Sequence, residues 1–193
     1  MLALLCVSAA AAQAKPPAAT ALVLAKGDFP DGAVVTSVSS KIDATFAVSG
    51  IPLSSAYTRR FRDVQVGSLR LPQVISSSFV TTPTVAAELL GELGRITYPG
   101  SGRKTLMDAM RAGAGAGDVT PSFIRGRPLK LADDAVEFVV RLTQRGGPAI
   151  DLQEIWIRQG SAISAVAAIA PAHELSLGQG FQIAKLAAAH MKS

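Results

Sequence analysis

Residues 134–142 alternate in type with unusual regularity. Val136, Phe138, Val140 and Leu142 fall on one side, and Ala135, Glu137 and Arg141 on the other. A period of two belongs to an extended strand with one apolar face, and a helix does not present it. Arg145-Gly-Gly-Pro148 interrupts the run, 150–158 reads as a second strand, Gln159-Gly160 as a turn and 161–170 as a third strand. Pro171 ends it. The spacing then becomes helical to the end of the chain, with Leu177, Phe181, Ala184, Ala188 and Met191 on one stripe. This last third predicts an antiparallel meander with a helix laid across one face.

Upstream, 33–39 and 69–80 are rich in β-branched residues and predict strands, with Pro72 favouring an edge or a beginning for the second. The stretch 56–67 is mixed in period, a strand or a helical turn leading into one. Residues 40–55 read as loop, with a helix as the alternative. Thr82-Pro83 supplies an N-cap and a proline at the first helical position. A helix is expected over 83–96, burying Val85, Leu89 and Leu93 and turning Glu88, Glu92 and Arg95 outward. A shorter one over 101–112 carries Leu106, Met107 and Met110. Gly113-Ala-Gly-Ala-Gly117 is a spacer, and 123–130 a basic loop. Strands near 33–38, 59–67 and 69–80 precede the first helix, as those at 135–142, 150–158 and 161–170 precede the last. The fold class is therefore α+β: an antiparallel sheet with one or two long helices packed on one face, in two β-β-β-α halves. A Gly/Ala-rich and basic insertion occupies about 99–131.

The first fourteen residues combine an apolar run with a small-x-small site at Ala12-Gln13-Ala14, which predicts a signal peptide over 1–14. A flexible 15–20 and a single domain over 21–193 follow. Cys6, the one cysteine, lies in the leader, so the mature chain has no disulfide or thiol chemistry. No later segment is apolar over a bilayer's width, and the chain is expected to be secreted or extracytoplasmic. Hydrophobic residues make up 49% of the chain but aromatic ones only 5%, so small aliphatic side chains must fill the core. The net charge of +5 is spread along the chain, a generic basic surface rather than a nucleic-acid footprint.

Chemistry-bearing residues are few. Gly100-Ser-Gly-Arg-Lys-Thr105 has the wrong glycine spacing for a phosphate loop, although Arg103 and Lys104 at a helix start suit an anion. His173 and His190 have no metal-ligand spacing, and no Gly-x-Ser-x-Gly elbow is present. No metal, cofactor or catalytic residue is assigned. Arg59, Arg60 and Arg62 sit between Tyr57 and Phe61, and Arg125 and Arg127 in the basic loop. Both groups are candidates for an anionic partner, a polar strand face being the plainer reading. Glu137 is expected on a solvated face. Glu154 shares a face with Leu152 and Trp156, while Ile155 and Ile157 share the other. Either that strand is central and covered twice, or a bulge switches its parity. A carboxylate beside the lone tryptophan on a covered face would line a pocket, the plainer reading being a salt bridge at the sheet edge.

The turn Gly27-Asp-Phe-Pro-Asp-Gly32, followed by Tyr57-Thr-Arg-Arg-Phe61 and the closing meander and helix, resembles a group of exported bacterial proteins that have no assigned activity. Their mature chains open on an Asp-Leu-Pro-x-Gly-type turn, with Phe29 here in place of Leu. The layout is more distantly similar to extracytoplasmic sensor and lipoprotein domains of bacteria. Together these point to an exported, non-enzymatic ligand- or partner-binding domain of the cell envelope. The partner would be an anionic envelope polymer, a lipid or an envelope protein, with its site between helices and sheet or at the basic insertion. The alternative is a cysteine-free secreted hydrolase using dispersed Ser, His and acidic residues.

Overall fold

The computed structural model describes residues 18–29, 31–46, 50–66, 68–113 and 119–192. The leader 1–14 with its Cys6, and residues 114–117 of the spacer, lie outside them. Seven strands form one antiparallel sheet: β1 (Val34–Ser39), β2 (Ser55–Val66), β3 (Leu69–Val80), β4 (Val119–Leu129), β5 (Asp134–Gln144), β6 (Ala149–Gln159) and β7 (Ala162–Pro171). Their order across the sheet is β1-β2-β3-β7-β6-β5-β4. The helices are α1 (Pro83–Ile96), α2 (Ser101–Gly113) and α3 (Leu177–His190). This is the α+β arrangement expected, an antiparallel sheet carrying long helices.

The helices are shared between two faces instead of gathered on one, and β6 shows why. It lies between β5 and β7 without a register shift, so its side chains alternate strictly. Leu152 and Trp156 join Phe138, Val140, Ile163 and the α1 residues Ala86, Leu90, Leu93 and Ile96. Ile155 and Ile157 join Val166 and the α3 residues Ile183, Ala184 and Ala187. A strand that is apolar on both sides needs two covers. Helices α1 and α2 provide one, α3 the other.

Helices α1 and α3 start where their caps place them. Thr82 Oγ1 accepts from Val85 N at 3.3 Å with Pro83 behind it. Ser176 and Gln179 form a reciprocal capping box at the start of α3. The buried stripes keep the expected Leu93, Ala184, Ala188 and Met191 but are turned by part of a residue from the expected ones. In α1 it is Ala86, Leu90, Leu93 and Ile96, with Val85 and Leu89 half-buried; in α3 it is Gly180, Ile183, Ala184, Ala187, Ala188 and Met191, with Phe181 half-buried.

Residues 119–129, placed by the sequence in the Gly/Ala-rich and basic insertion with 123–130 as a basic loop, are the far edge strand β4. Pro121, Gly126 and Pro128 lower its β propensity. On an edge one row of backbone groups has no strand to pair with, so prolines are tolerated there.

Three consecutive serines at the sheet centre fix the start of the domain. Ser76 Oγ accepts from Leu24 N at 3.0 Å, and Ser78 Oγ donates to the Ala19 carbonyl on the same face. Ser77 points the other way, bonded to the Thr58 hydroxyl and accepting from Asp43 N at 3.3 Å. The Ser76 and Ser78 bonds dock a short 3-10 turn (Ala19–Ala21) and the buried Leu22 and Leu24 on the α3 side.

Candidate functional site

Glu154 and Trp156 stand two apart on β6 and therefore share a face. Across the ladders Glu154 is opposite Phe138 of β5 and Ala167 of β7. Trp156 Nε1 donates to Glu154 Oε2 at 2.9 Å. Phe46 meets the indole edge-on, with ring centroids 5.4 Å apart. Above them Leu89 and Leu93 of α1, Leu106 and Met110 of α2, and Thr45 close a cavity of about 70 Å³. Glu154 is only 3% exposed. Burial pushes its carboxyl up to about 7, the tryptophan N–H only partly opposing the shift. Among the described residues no basic side chain lines the cavity.

On the other flank of α1, a wider groove of about 370 Å³ runs between the helix and strands β4 and β5. Leu90, Gly91, Gly94, Tyr98, Pro128 and Val136 line it. The two concavities lie on the same face of the sheet.

The structure brings Glu154 and Trp156 together and disperses the candidate cations. Arg59 and Arg60 alternate to opposite faces of β2. Arg59 Nη1 donates to the Leu24 carbonyl at 2.6 Å, and Arg60 Nε pairs with the buried Asp43 at 2.6 Å. Burial raises the Asp43 carboxyl, but Arg60 and the Thr45 amide and hydroxyl outweigh it and hold the group below its ordinary value. Arg62 reaches only Asp63, at 3.8 Å, in solvent. Arg103 lies over the Phe123 ring at 3.9 Å and donates to the Ile96 and Thr97 carbonyls, closing the end of α1. Lys104 pairs with Asp108 one turn on, exposed. Arg125 Nη2 donates to the Leu175 carbonyl at 3.3 Å. Arg127 pairs at 2.7 Å with Glu137, which is buried and not solvated, because α3 covers its face. Gln153 Nε2 donates to the same carboxylate.

His173 lies with both ring nitrogens against the Arg141 guanidinium, at 3.1 and 3.3 Å. Arg141 in turn grips Asp151 through two bonds of 2.8 and 3.0 Å, and the His173 amide adds a third at 2.9 Å. Burial raises the Asp151 carboxyl; the guanidinium and that amide outweigh it and hold the group low. His190 reaches Asp28 at 2.8 Å and the Ala21 carbonyl at 3.2 Å.

Sequence reasoning named the floor residues Glu154 and Trp156 and the apolar wall residues Leu89, Leu93, Leu106 and Met110, but did not bring the two sets together. Leu106 and Met110 are four apart on α2 and were visible as an apolar pair. Thr45, in an irregular segment, carried no signal.

No protein-family model matches the chain, and neither does any curated protein. Among solved structures it is similar to the extracellular domain of PknH from Mycobacterium tuberculosis, with a TM-score of 0.61 and 12% identity. The match covers 92% of this chain and 98% of that one. The two share a fold. Phe29 and Phe61, which lie in two of the stretches on which the resemblance was read, are core residues in edge-to-face contact at 5.2 Å. No helix among the described residues is long and apolar enough to cross a membrane.

Proposed function

We propose that the chain is an exported, non-enzymatic domain of the cell envelope that binds a ligand in the manner of a sensor. The ligand seats between the α1–α2 layer and the sheet. Glu154 carries this reading: a carboxylate shut into an apolar cavity, with a single hydrogen-bond donor and no cation among the described residues. Such a group costs stability, and a ligand that meets it accounts for its presence. The fold shared with an extracellular domain supports the extracytoplasmic address, and the leader 1–14 is read as the signal that delivers the chain there.

A hydrolase has less support. The lone pair that a general base needs on His173 faces a guanidinium that can only donate. An anionic polymer also has less support, since Arg59, Arg60, Arg103, Arg125 and Arg127 bond to groups of the protein itself.

Trp156 is the one tryptophan, so its emission reports on this cavity alone. Lipids, small amphiphiles and anionic polysaccharides are to be screened by emission and thermal shift together. A ligand at about a hundred times its Kd stabilises by about 2.7 kcal/mol, or several degrees in Tm. Compounds that raise Tm are expected to change the emission too, and to lose both effects in Leu106→Phe, which fills the cavity. Stabilisation that leaves the emission unchanged, or survives the filling, would place the site elsewhere.

A further inference from the structure

We propose that the cavity at Glu154 receives the protonated amino group of a small organic amine, whose apolar remainder leaves along Leu89, Leu106 and Met110. The inference rests on the ligand site just described and names the chemistry of its occupant.

The charge argument comes first. Glu154 Oε2 takes the Trp156 N–H, and that indole is its one hydrogen-bond partner among the described residues. The surrounding elements offer nothing that would balance a charge. Helix α1 presents Leu89 and Leu93, α2 presents Leu106 and Met110, β5 presents Phe138, and the 40–46 segment presents Thr45. Among the described residues no other titratable side chain lines the space. An ionised carboxylate in such a setting needs a cation, and the described residues around the cavity supply none. A primary ammonium brings both the charge and the N–H groups that the second carboxylate oxygen lacks. A carboxylate or phosphate ligand would instead add a like charge.

The walls agree. Trp156 and Phe138 flank the carboxylate, and aromatic faces attract ammonium groups, tryptophan most strongly. The size sets a limit as well. At about 70 Å³ the cavity has roughly half the volume of one that holds benzene (~150 Å³). It admits an ammonium with a carbon or two and excludes a ring. Leu89, Leu106 and Met110 are half-buried and apolar, so the rest of the molecule must be aliphatic where it leaves.

Proton linkage follows from the site. The ammonium binds the ionised form of Glu154, whose carboxyl titrates at about 7. An alkylamine keeps its own proton to about pH 10. Affinity is therefore level above about pH 7 and falls about tenfold for each pH unit below it.

The test is a titration of the whole chain with n-pentylamine, pentan-1-ol and pentanoate, read by Trp156 emission from about pH 5 to about pH 8. The amine is expected to bind with that pH slope, the alcohol weakly and without a slope, and pentanoate not at all. Glu154→Gln is expected to lose at least tenfold for the amine and keep its affinity for the alcohol. The wild-type slope stands as an independent reading should the variant fold poorly. Alcohol binding as tight as amine binding, or amine binding independent of pH and unaffected by the substitution, overturns the amine while leaving the cavity as a ligand site. If none of the three changes the emission, both readings fall.

Discussion

A carboxyl that is neutral in the fold and charged in the unfolded chain makes stability depend on pH. Glu154 has an ordinary value of 4.5 and titrates at about 7 in the fold. Across that interval the folded state holds more protons, so stability falls as pH rises through it and then levels. At 1.36 kcal/mol per unit, the loss is roughly 3 kcal/mol. Glu154→Gln keeps an acceptor for the Trp156 N–H and removes the titration. Its advantage over the wild type is expected to grow by roughly 3 kcal/mol between about pH 4.5 and about pH 8, measured by urea denaturation. Parallel pH profiles would mean that water reaches the carboxylate. Asp43 and Asp151 run the other way. Both are held below their ordinary value, so their contribution is present above it and is lost as pH falls through the folded one. That Glu154 and Trp156 share a face was legible, because two residues on a strand must. That the face is closed was not, because closure depends on two helices whose seating the local sequence does not fix.

On α3 the position that most constrains packing is a glycine. A Cβ on Gly180 would lie 1.8 Å from Gln153 Nε2, the group that holds Glu137 beneath the helix. Gly180→Ala is expected to cost about 1–3 kcal/mol, although alanine is the better helix former. In a Gln153→Ala background the clash disappears, and the coupling in a denaturation double-mutant cycle should exceed about 0.5 kcal/mol. A Gly180→Ala chain as stable as the wild type would show that the glutamine swings aside. The polar network is also where reading by alternation failed. Glu137 was assigned to solvent because its strand looked half-polar, yet Arg127 pairs with it from a segment taken for loop. Hydrophobic patterning locates strands that bury greasy side chains. It is blind to a strand such as β4, whose prolines and arginines are tolerated because it lies at an edge.

Across the whole molecule the two sheet edges differ. Edge β4 carries Pro121, Pro128, Arg125 and Arg127, residues that discourage another strand from adding on. Edge β1 (Val-Val-Thr-Ser-Val-Ser) is exposed throughout, uncharged, and broken only by a bulge near Thr36. Val38, 58% exposed, is the most exposed of its three valines. Val38→Lys is expected to slow dye-monitored aggregation while changing stability by no more than about 0.5 kcal/mol; an unchanged aggregation rate would direct attention to another segment. The repeated strand-strand-strand-helix order was visible in the sequence, but the placement of the helices was not. A two-fold exchanging the antiparallel β3 and β7 would lie along the sheet normal and leave α1 and α3 on one face. The structure has them on opposite faces, so the repeat is one of order only. The junction of β3 with β7 joins residues 69–80 to residues 162–171. A chain emerging N-terminus first thus presents three strands with a naked inner border until its final meander arrives. Closing so distant a seam is slow, and the first three strands must keep that border unpaired until it is done.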